Sequence, residues 1–227
     1  MLTDSAQLHH LKDVLRLKVN DGVNLSDGAG NDYSGVIRSI NRKQVDIKVT
    51  LKKMAPENSL KLTIACAIPK GSRIDEIIEH LTQLGVERII PMRTERVVVK
   101  LDSAGEELKL KRWRKIAQSA AQQSQQNSIA IIERIMEFED IVLSSRDYDL
   151  KLIPHLAGER KPIKEILANY RPKNIIVLIG PEGDFTPEEV ALALANGFVA
   201  VSLGDKVLRV ATAAMVVASY IKFTLDD

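Results

Sequence analysis

Residues 175–189 read Ile175-Ile176-Val177-Leu178-Ile179-Gly180-Pro181-Glu182-Gly183-Asp184-Phe185-Thr186-Pro187-Glu188-Glu189, an apolar run that passes through a glycine loop into a helix start. Five apolar residues in a row suit a strand covered on both faces, which is the habit of parallel sheets. Gly180 and Gly183 then allow a tight turn and a close approach of backbone to a ligand. Thr186 suits an N-cap, Pro187 the first helical position, and Glu189 completes a capping box. A strand, a tight loop and a helix start make half of a strand–helix–strand unit. The loop matches neither GxGxxG nor GxxxxGK[ST], so dinucleotide-binding and P-loop readings lack their motif.

Outward from this stretch the same alternation covers the chain from Lys61 onward. The pattern predicts strands at 61–68, 87–91, 95–99, 129–134, 149–153, 174–179 and 198–203. Helices are predicted near 72–84, 106–126, 137–145, 162–169, 187–196 and 210–224. Such alternation implies an α/β domain with a largely parallel sheet covered on both faces. Ligands of open α/β sheets bind beyond the C-terminal ends of the strands, so the loops after residues 153, 179 and 203 are the candidates. The first of these holds His155, which by itself reads as a polar loop residue. The last runs Ser202-Leu203-Gly204-Asp205-Lys206-Val207-Leu208-Arg209-Val210 and leads into a helix of small residues. Arg209 is the cation nearest that helix start, where the helix dipole disfavours positive charge, so its placement needs a reason.

The residues before 55 read differently. Leu8, Leu11, Val14 and Leu15 recur at helical spacing, and short alternating runs at 23–26, 33–40 and 44–49 are separated by turn-forming clusters. A small barrel with one helix is expected over residues 1–56, a linker at 54–59, and the α/β domain over 61–227. Between them, the segment Lys109-Leu110-Lys111-Arg112-Trp113-Arg114-Lys115 reads equally as a phosphate-gripping surface or as an amphipathic helix with Trp113 packed inward.

Across its 227 residues the chain is 45% hydrophobic and 27% charged, the balance of a globular protein that buries a core. Its single cysteine, Cys66, excludes an internal disulfide and a cysteine-built metal site, and no metal is expected. Cys66 lies in an apolar run and reads as a buried side chain rather than a nucleophile. With neither a signal pattern nor a run of about 18 apolar residues, a cytoplasmic protein free of the membrane is expected. The net charge of +2 is unevenly spread: residues 1–60 carry +2, 61–115 carry +4, and 116–227 carry −4. An anionic partner would meet the N-terminal half first.

Together these segments resemble the RsmE family, SPOUT-class enzymes that methylate N3 of a uridine in 16S ribosomal RNA of the small subunit. His9-His10-Leu11-Lys12-Asp13-Val14-Leu15-Arg16-Leu17-Lys18 is similar to the start of the family's PUA-like domain. Lys70-Gly71-Ser72-Arg73, Leu84-Gly85-Val86, Ile89-Ile90-Pro91, Thr94-Glu95-Arg96, Arg112-Trp113, Lys115-Ile116-Ala117 and Gln123-Ser124 follow in family order, before the GPEG and LGxxxLR loops. The resemblance implies a trefoil knot at the C-terminal end, a homodimer, and S-adenosylmethionine as methyl donor. It places the donor against Ile179, Gly180, Pro181, Gly183, Leu203, Gly204, Val207 and Leu208. It makes Arg209 the catalytic cation, balancing charge as the uridine loses its N3 proton. RNA contacts would fall to the basic half, to Arg16, Lys18, Lys70, Arg73, Arg93 and Arg96, each of which reads equally as a solvated surface charge. The chain departs from the family pattern in four places. Ala211 stands where a carboxylate is usual, Asp184 where a glycine is usual, and Gln125-Gln126 where Gly-Arg is common. The chain also starts close to the His9-His10 motif, so the barrel is expected to lack an edge strand. A non-catalytic relative that binds ribosomal RNA, or assists ribosome assembly, is the alternative function that these departures suggest. A third is an unrelated α/β enzyme using a nucleotide.

Overall fold

The continuous apolar run becomes the middle of a parallel sheet. The computed structural model describes residues 2–54, 60–71, 73–97, 103–168 and 170–225. The chain divides into two compact units, Met1–Glu57 and Asn58–Asp227.

In the first unit a short helix α1 (Ser5–His9) continues into a π-helical turn (His10–Val14). Three strands follow, β1 (Gly22–Ser26), β2 (Asp32–Ile40) and β3 (Val45–Lys53), paired antiparallel in that order. The expected barrel thus takes the form of a three-stranded sheet. Its far edge carries a one-residue bridge, in which Leu2 and Val45 exchange both backbone hydrogen bonds at 2.9 and 3.0 Å. Leu8, Leu11, Ile37 and Val45 form the buried core. Val14 and Leu15, expected on the same helical face, are instead 59% and 51% exposed. The reason is the widened turn: Leu15 N–H bonds to His10 O, five residues back, which rotates both side chains off the face. At Gly35 a side chain is excluded, since a Cβ there would sit 2.7 Å from Ile47 Cγ2 and 2.8 Å from Lys48 O.

The second unit is an eight-stranded sheet. Its strands are β4 (Lys61–Ala67), β5 (Arg88–Arg93), β6 (Ile131–Ile132), β7 (Met136–Glu137), β8 (Leu150–Pro154), β9 (Lys161–Pro162), β10 (Asn174–Ile179) and β11 (Val199–Ser202). The order is β6-β5-β4-β10-β8-β11-β9, with β7 also on β5, and the pairings are parallel. The helices are α2 (Arg73–Gln83), α3 (Ser103–Gln123), α4 (Phe138–Leu143), α5 (Ile163–Leu167), α6 (Pro187–Ala195) and α7 (Val210–Leu225).

Alternation along the central strands feeds two cores. Ile175, Val177 and Ile179 of β10 join Leu62, Ile64 and Cys66 of β4 on one face, under α2, α3, α5 and α7. Ile176 and Leu178 join Ala65 and Ala67 on the other, under α4 and α6. Each fully buried Leu or Ile contributes about 1.5–3 kcal/mol, so this double cover fixes β10 and the loop that follows it. Burial pushes the Cys66 thiol up to about 12, with the Glu182 charge adding to the effect, so it is an inert core group. Among the described residues, no helix is long and apolar enough to cross a membrane.

Two expectations need correction. No strand forms at 95–97: the chain turns there, with Val97 N–H bonded to Thr94 O at 3.0 Å, and residues 98–99 lie outside the described ones. The turn forms because Glu95 and Arg96 bond to the segment 183–189 instead of to a neighbouring strand. The strand at 129–134 shrinks to Ile131–Ile132, because β5 offers it only a short edge, from Arg88 to Ile89. Of the linker at 54–59, residues 55–59 lie outside the described ones.

Candidate active site

Three loops leave the C-terminal ends of β8, β10 and β11 and converge on one pocket. Its lining includes Pro154, His155, Leu156 and Arg160 from the first loop, Ile179, Gly180, Pro181, Glu182 and Asp184 from the second, and Leu203, Gly204, Lys206, Val207 and Leu208 from the third. Val201, Val210 and Ala213 complete it. The walls are therefore apolar side chains and glycine backbone, with charged groups of both signs among them. Such a lining suits a flat apolar ring at one end of a ligand and a polar, charged tail at the other. A larger open groove of about 750 Å³ lies between α2 and α3, around Lys111, Arg112, Lys115, Ser119 and Gln123. It sits on helix faces, away from the strand ends where sheets of this kind bind ligands.

The loop after β10 is held from several sides. Asp184 N–H bonds to Pro181 O at 3.0 Å, closing a turn. Thr186 caps α6: its Oγ1 accepts from Glu189 N–H at 3.2 Å while Glu189 Oε2 accepts from Thr186 N–H at 2.9 Å. Glu189 Oε1 also accepts from Glu95 N–H at 2.9 Å, tying the turn after β5 to this loop. From that turn Arg96 Nη1 donates to the carbonyl oxygens of Gly183 and Phe185, the latter at 3.2 Å. Gly180 is closely packed, since a Cβ would meet the Phe185 ring at 3.0 Å and the ring would have to give by a few tenths of an ångström. Phe185 in turn packs against Phe138, with ring centroids 5.4 Å apart.

The first loop carries His155, which is buried and whose Nε2 meets no hydrogen-bond partner among the described residues. Burial pushes its imidazole below the ordinary range; Asp184 opposes this and Arg160 reinforces it. Arg160 Nη1 donates to His155 O at 2.9 Å, and Asp184 Oδ2 accepts from Leu156 N–H at 2.8 Å. In the third loop Gly204 has φ +114°, open to glycine alone at no steric cost.

Of the residues singled out in the sequence, Ile179, Gly180, Pro181, Leu203, Gly204, Val207 and Leu208 line this one pocket, while Gly183 stands beside it under Arg96. Arg209 is exposed at the start of α7, next to the lining residue Leu208, and its carbonyl accepts the first helical bond, from Ala213 N–H at 2.8 Å. The basic residues separate. Arg16 and Lys18 are exposed in the first unit, and Lys70 is exposed in the second. Arg93 is committed to Glu106 and Glu137, which raise its already high pKa. Arg73 makes a loose ion pair with Glu182 at 3.8 Å, and Arg96 braces the loop after β10. Trp113 is buried and donates to Asp75 at 3.1 Å, so α3 is an amphipathic helix with its tryptophan inward. The sequence reading missed the bracing roles of Glu95, Arg96 and Glu189. Only the adjacency of Thr94-Glu95-Arg96 to a strand end hinted at them. Among the described residues no group of three His, Cys, Asp or Glu could hold a metal ion.

Residues 56–222 match the family model of an RNA methyltransferase domain, and residues 2–50 that of an RNA methyltransferase PUA domain. The chain is 32% identical over 225 residues to the ribosomal RNA small subunit methyltransferase E of Synechocystis, covering 98% of this chain and 73% of that one. It is 27% identical over 226 residues to the Bacillus subtilis protein of the same name, covering 97% and 88%. A Legionella pneumophila structure with bound S-adenosylmethionine superposes with a TM-score of 0.81 at 30% identity, covering 97% of this chain and 90% of that one. The ribosomal RNA small subunit methyltransferase E of Neisseria gonorrhoeae, bound to S-adenosylmethionine, gives 0.81 at 26% identity and the same coverage.

Proposed function

The chain belongs to the ribosomal RNA small subunit methyltransferase E family, and on that premise we propose that it methylates N3 of a uridine in 16S ribosomal RNA, using the pocket at the ends of β8, β10 and β11 for its donor. It is an RNA methyltransferase, and its methyl donor is S-adenosylmethionine. The observation that carries the site assignment is the convergence of three strand-end loops on one pocket with apolar walls and charged groups. Ile179, Leu203, Leu208 and the backbone at Gly180 and Gly204 suit adenine and ribose. Glu182 suits the cationic end of the donor, and Arg160 and Lys206 its carboxylate.

Bound there, S-adenosylmethionine supplies an electrophilic sulfonium methyl group. The chain's own residues align the acceptor with it and keep water out, which can account for much of the rate. Negative charge spreads to the flanking carbonyl oxygens as N3 of the uridine releases its proton to solvent. The Arg209 guanidinium, exposed beside the pocket, balances that charge. RNA phosphates meet Arg16 and Lys18 in the first unit and Lys70 and Arg73 in the second. Arg73 is available because an exposed pair at 3.8 Å contributes little and exchanges readily for a phosphate. Arg93 is held by Glu106 and Glu137 and Arg96 braces the loop after β10, so both serve the fold instead. A trefoil knot through the loops of β10 and β11, a homodimer that completes the RNA site, and the assembled small subunit as substrate belong to the same reading.

Calorimetric titration with S-adenosylmethionine and S-adenosylhomocysteine tests the pocket. Transfer of labelled methyl to small-subunit ribosomal RNA tests the reaction. An N3-methyl blocks Watson–Crick pairing, so reverse transcription should stop at one uridine. Donor binding without any such stop would overturn the proposed target.

A further inference from the structure

We propose that Asp184 is a positioning residue that latches the loop after β8 to the loop after β10 at the rim of the pocket, and so sets how tightly the donor is held. The proposal rests on that pocket being the donor site.

Asp184 has φ +59°, a conformation that glycine takes freely and that a side chain makes costly. Aspartate tolerates it better than most residues because its short carboxylate can bond locally, and here both oxygens are used. Oδ1 accepts from Phe185 N–H at 2.9 Å, within its own loop. Oδ2 accepts from Leu156 N–H at 2.8 Å, 28 residues away in the other loop. A carboxylate acceptor makes such a bond about twice as strong as a neutral one. Arg96 grips the neighbouring carbonyls of Gly183 and Phe185, so the aspartate pulls Leu156 toward a segment that is itself fixed.

The joined segments line the pocket together: His155 and Leu156 on one side, Gly180, Pro181 and Glu182 on the other. Within the first loop, Arg160 folds the chain back on His155 O, and Gly158 turns at φ +75°. These local ties shape the loop without binding it to β10. Among the described residues, the Asp184–Leu156 bond is the hydrogen bond that crosses between the two loops. A strained backbone that places one carboxylate across a ligand pocket is accounted for by that bond.

The test compares wild type with Asp184→Gly and Asp184→Asn. Glycine relieves the strain and removes the latch, so the two effects part. The thermal midpoint of Asp184→Gly should not fall. Its dissociation constant for S-adenosylhomocysteine should rise by roughly five- to tenfold, its donor KM should rise by more than kcat falls, and hydrogen exchange at the Leu156 amide should quicken. Asp184→Asn keeps one acceptor oxygen and should fall between the two. If wild type binds S-adenosylhomocysteine and Asp184→Gly binds it within twofold, the latch is wrong although the donor site stands. If wild type itself fails to bind, the donor-site reading is what falls, and the latch falls with it.

Discussion

Arg209, Gly180 and His155 each make a separate demand on the site. Arg209 stands at a helix start, where its charge is disfavoured, and among the described residues its guanidinium makes no hydrogen bond or ion pair that would explain the placement. A role in the transition state would, so Arg209→Ala should lower kcat by about 10²–10³-fold while calorimetry finds donor affinity unchanged. Gly180→Ala drives a methyl group against the Phe185 ring, which is buried and backed by Phe138. Overpacking of this kind costs about 1–3 kcal/mol, visible as a lower thermal midpoint together with weakened donor binding. His155 is held neutral by burial, so the unfolded chain binds its proton at a pH where the folded chain does not. Stability from this ring is therefore complete above about pH 6.5 and is lost as pH falls from there toward the depressed folded value. Thermal midpoints between pH 7.5 and 5 should fall less steeply in His155→Gln than in wild type; parallel curves would refute the assignment.

Helix α6 and the turn after β5 stabilise each other through shared hydrogen bonds. The capping box satisfies amides that the first turn of a helix leaves unpaired, and Glu189 takes on a further amide, from Glu95. Thr186→Ala should therefore cost about 1 kcal/mol. Glu189→Ala should cost more, by about 1–3 kcal/mol, because it leaves two amides of a buried junction without acceptors. Urea unfolding of the two variants gives the comparison directly, and equal midpoints would show that the bond to Glu95 contributes nothing. This junction also explains why residues 95–97 make a turn. The segment 95–99 reads as strand, but the Glu95 amide and the Arg96 side chain are engaged with residues 183–189, 87 to 94 positions along the chain. The π-helical turn in the first unit has a similar lesson, since hydrophobic spacing at Val14 and Leu15 cannot reveal that the helix widens beneath them.

For the molecule as a whole, charge and topology separate two tasks. The N-terminal half carries the positive excess and the later half the negative one, while the pocket proposed for the donor lies wholly within the second unit. Arg16→Glu with Lys18→Glu should weaken binding to small-subunit ribosomal RNA and leave donor binding intact. The plot of log affinity against log salt should become shallower by about 0.7–0.9 for each phosphate that the protein no longer neutralises. An unchanged slope would remove these two residues from the RNA surface.

The alternation of strands and helices, the double burial of 175–179, the capping box and the three loops worth inspecting were all legible in the sequence alone. These follow from local rules: hydrophobic period, turn chemistry and the steric freedom of glycine act over a few residues. Family motifs spread along nearly the whole chain added the reaction and the donor, which no local rule contains. How the cations are used was settled only by tertiary packing. Arg16, Lys70, Arg93 and Arg96 are alike in sequence, yet two are exposed, one is locked between Glu106 and Glu137, and one braces the pocket loop. Packing likewise revealed Asp184 reaching Leu156. A charged side chain's role depends on which distant backbone the parallel sheet brings beside it, and that information lies in the packing of β10 between β4 and β8, not in any single segment.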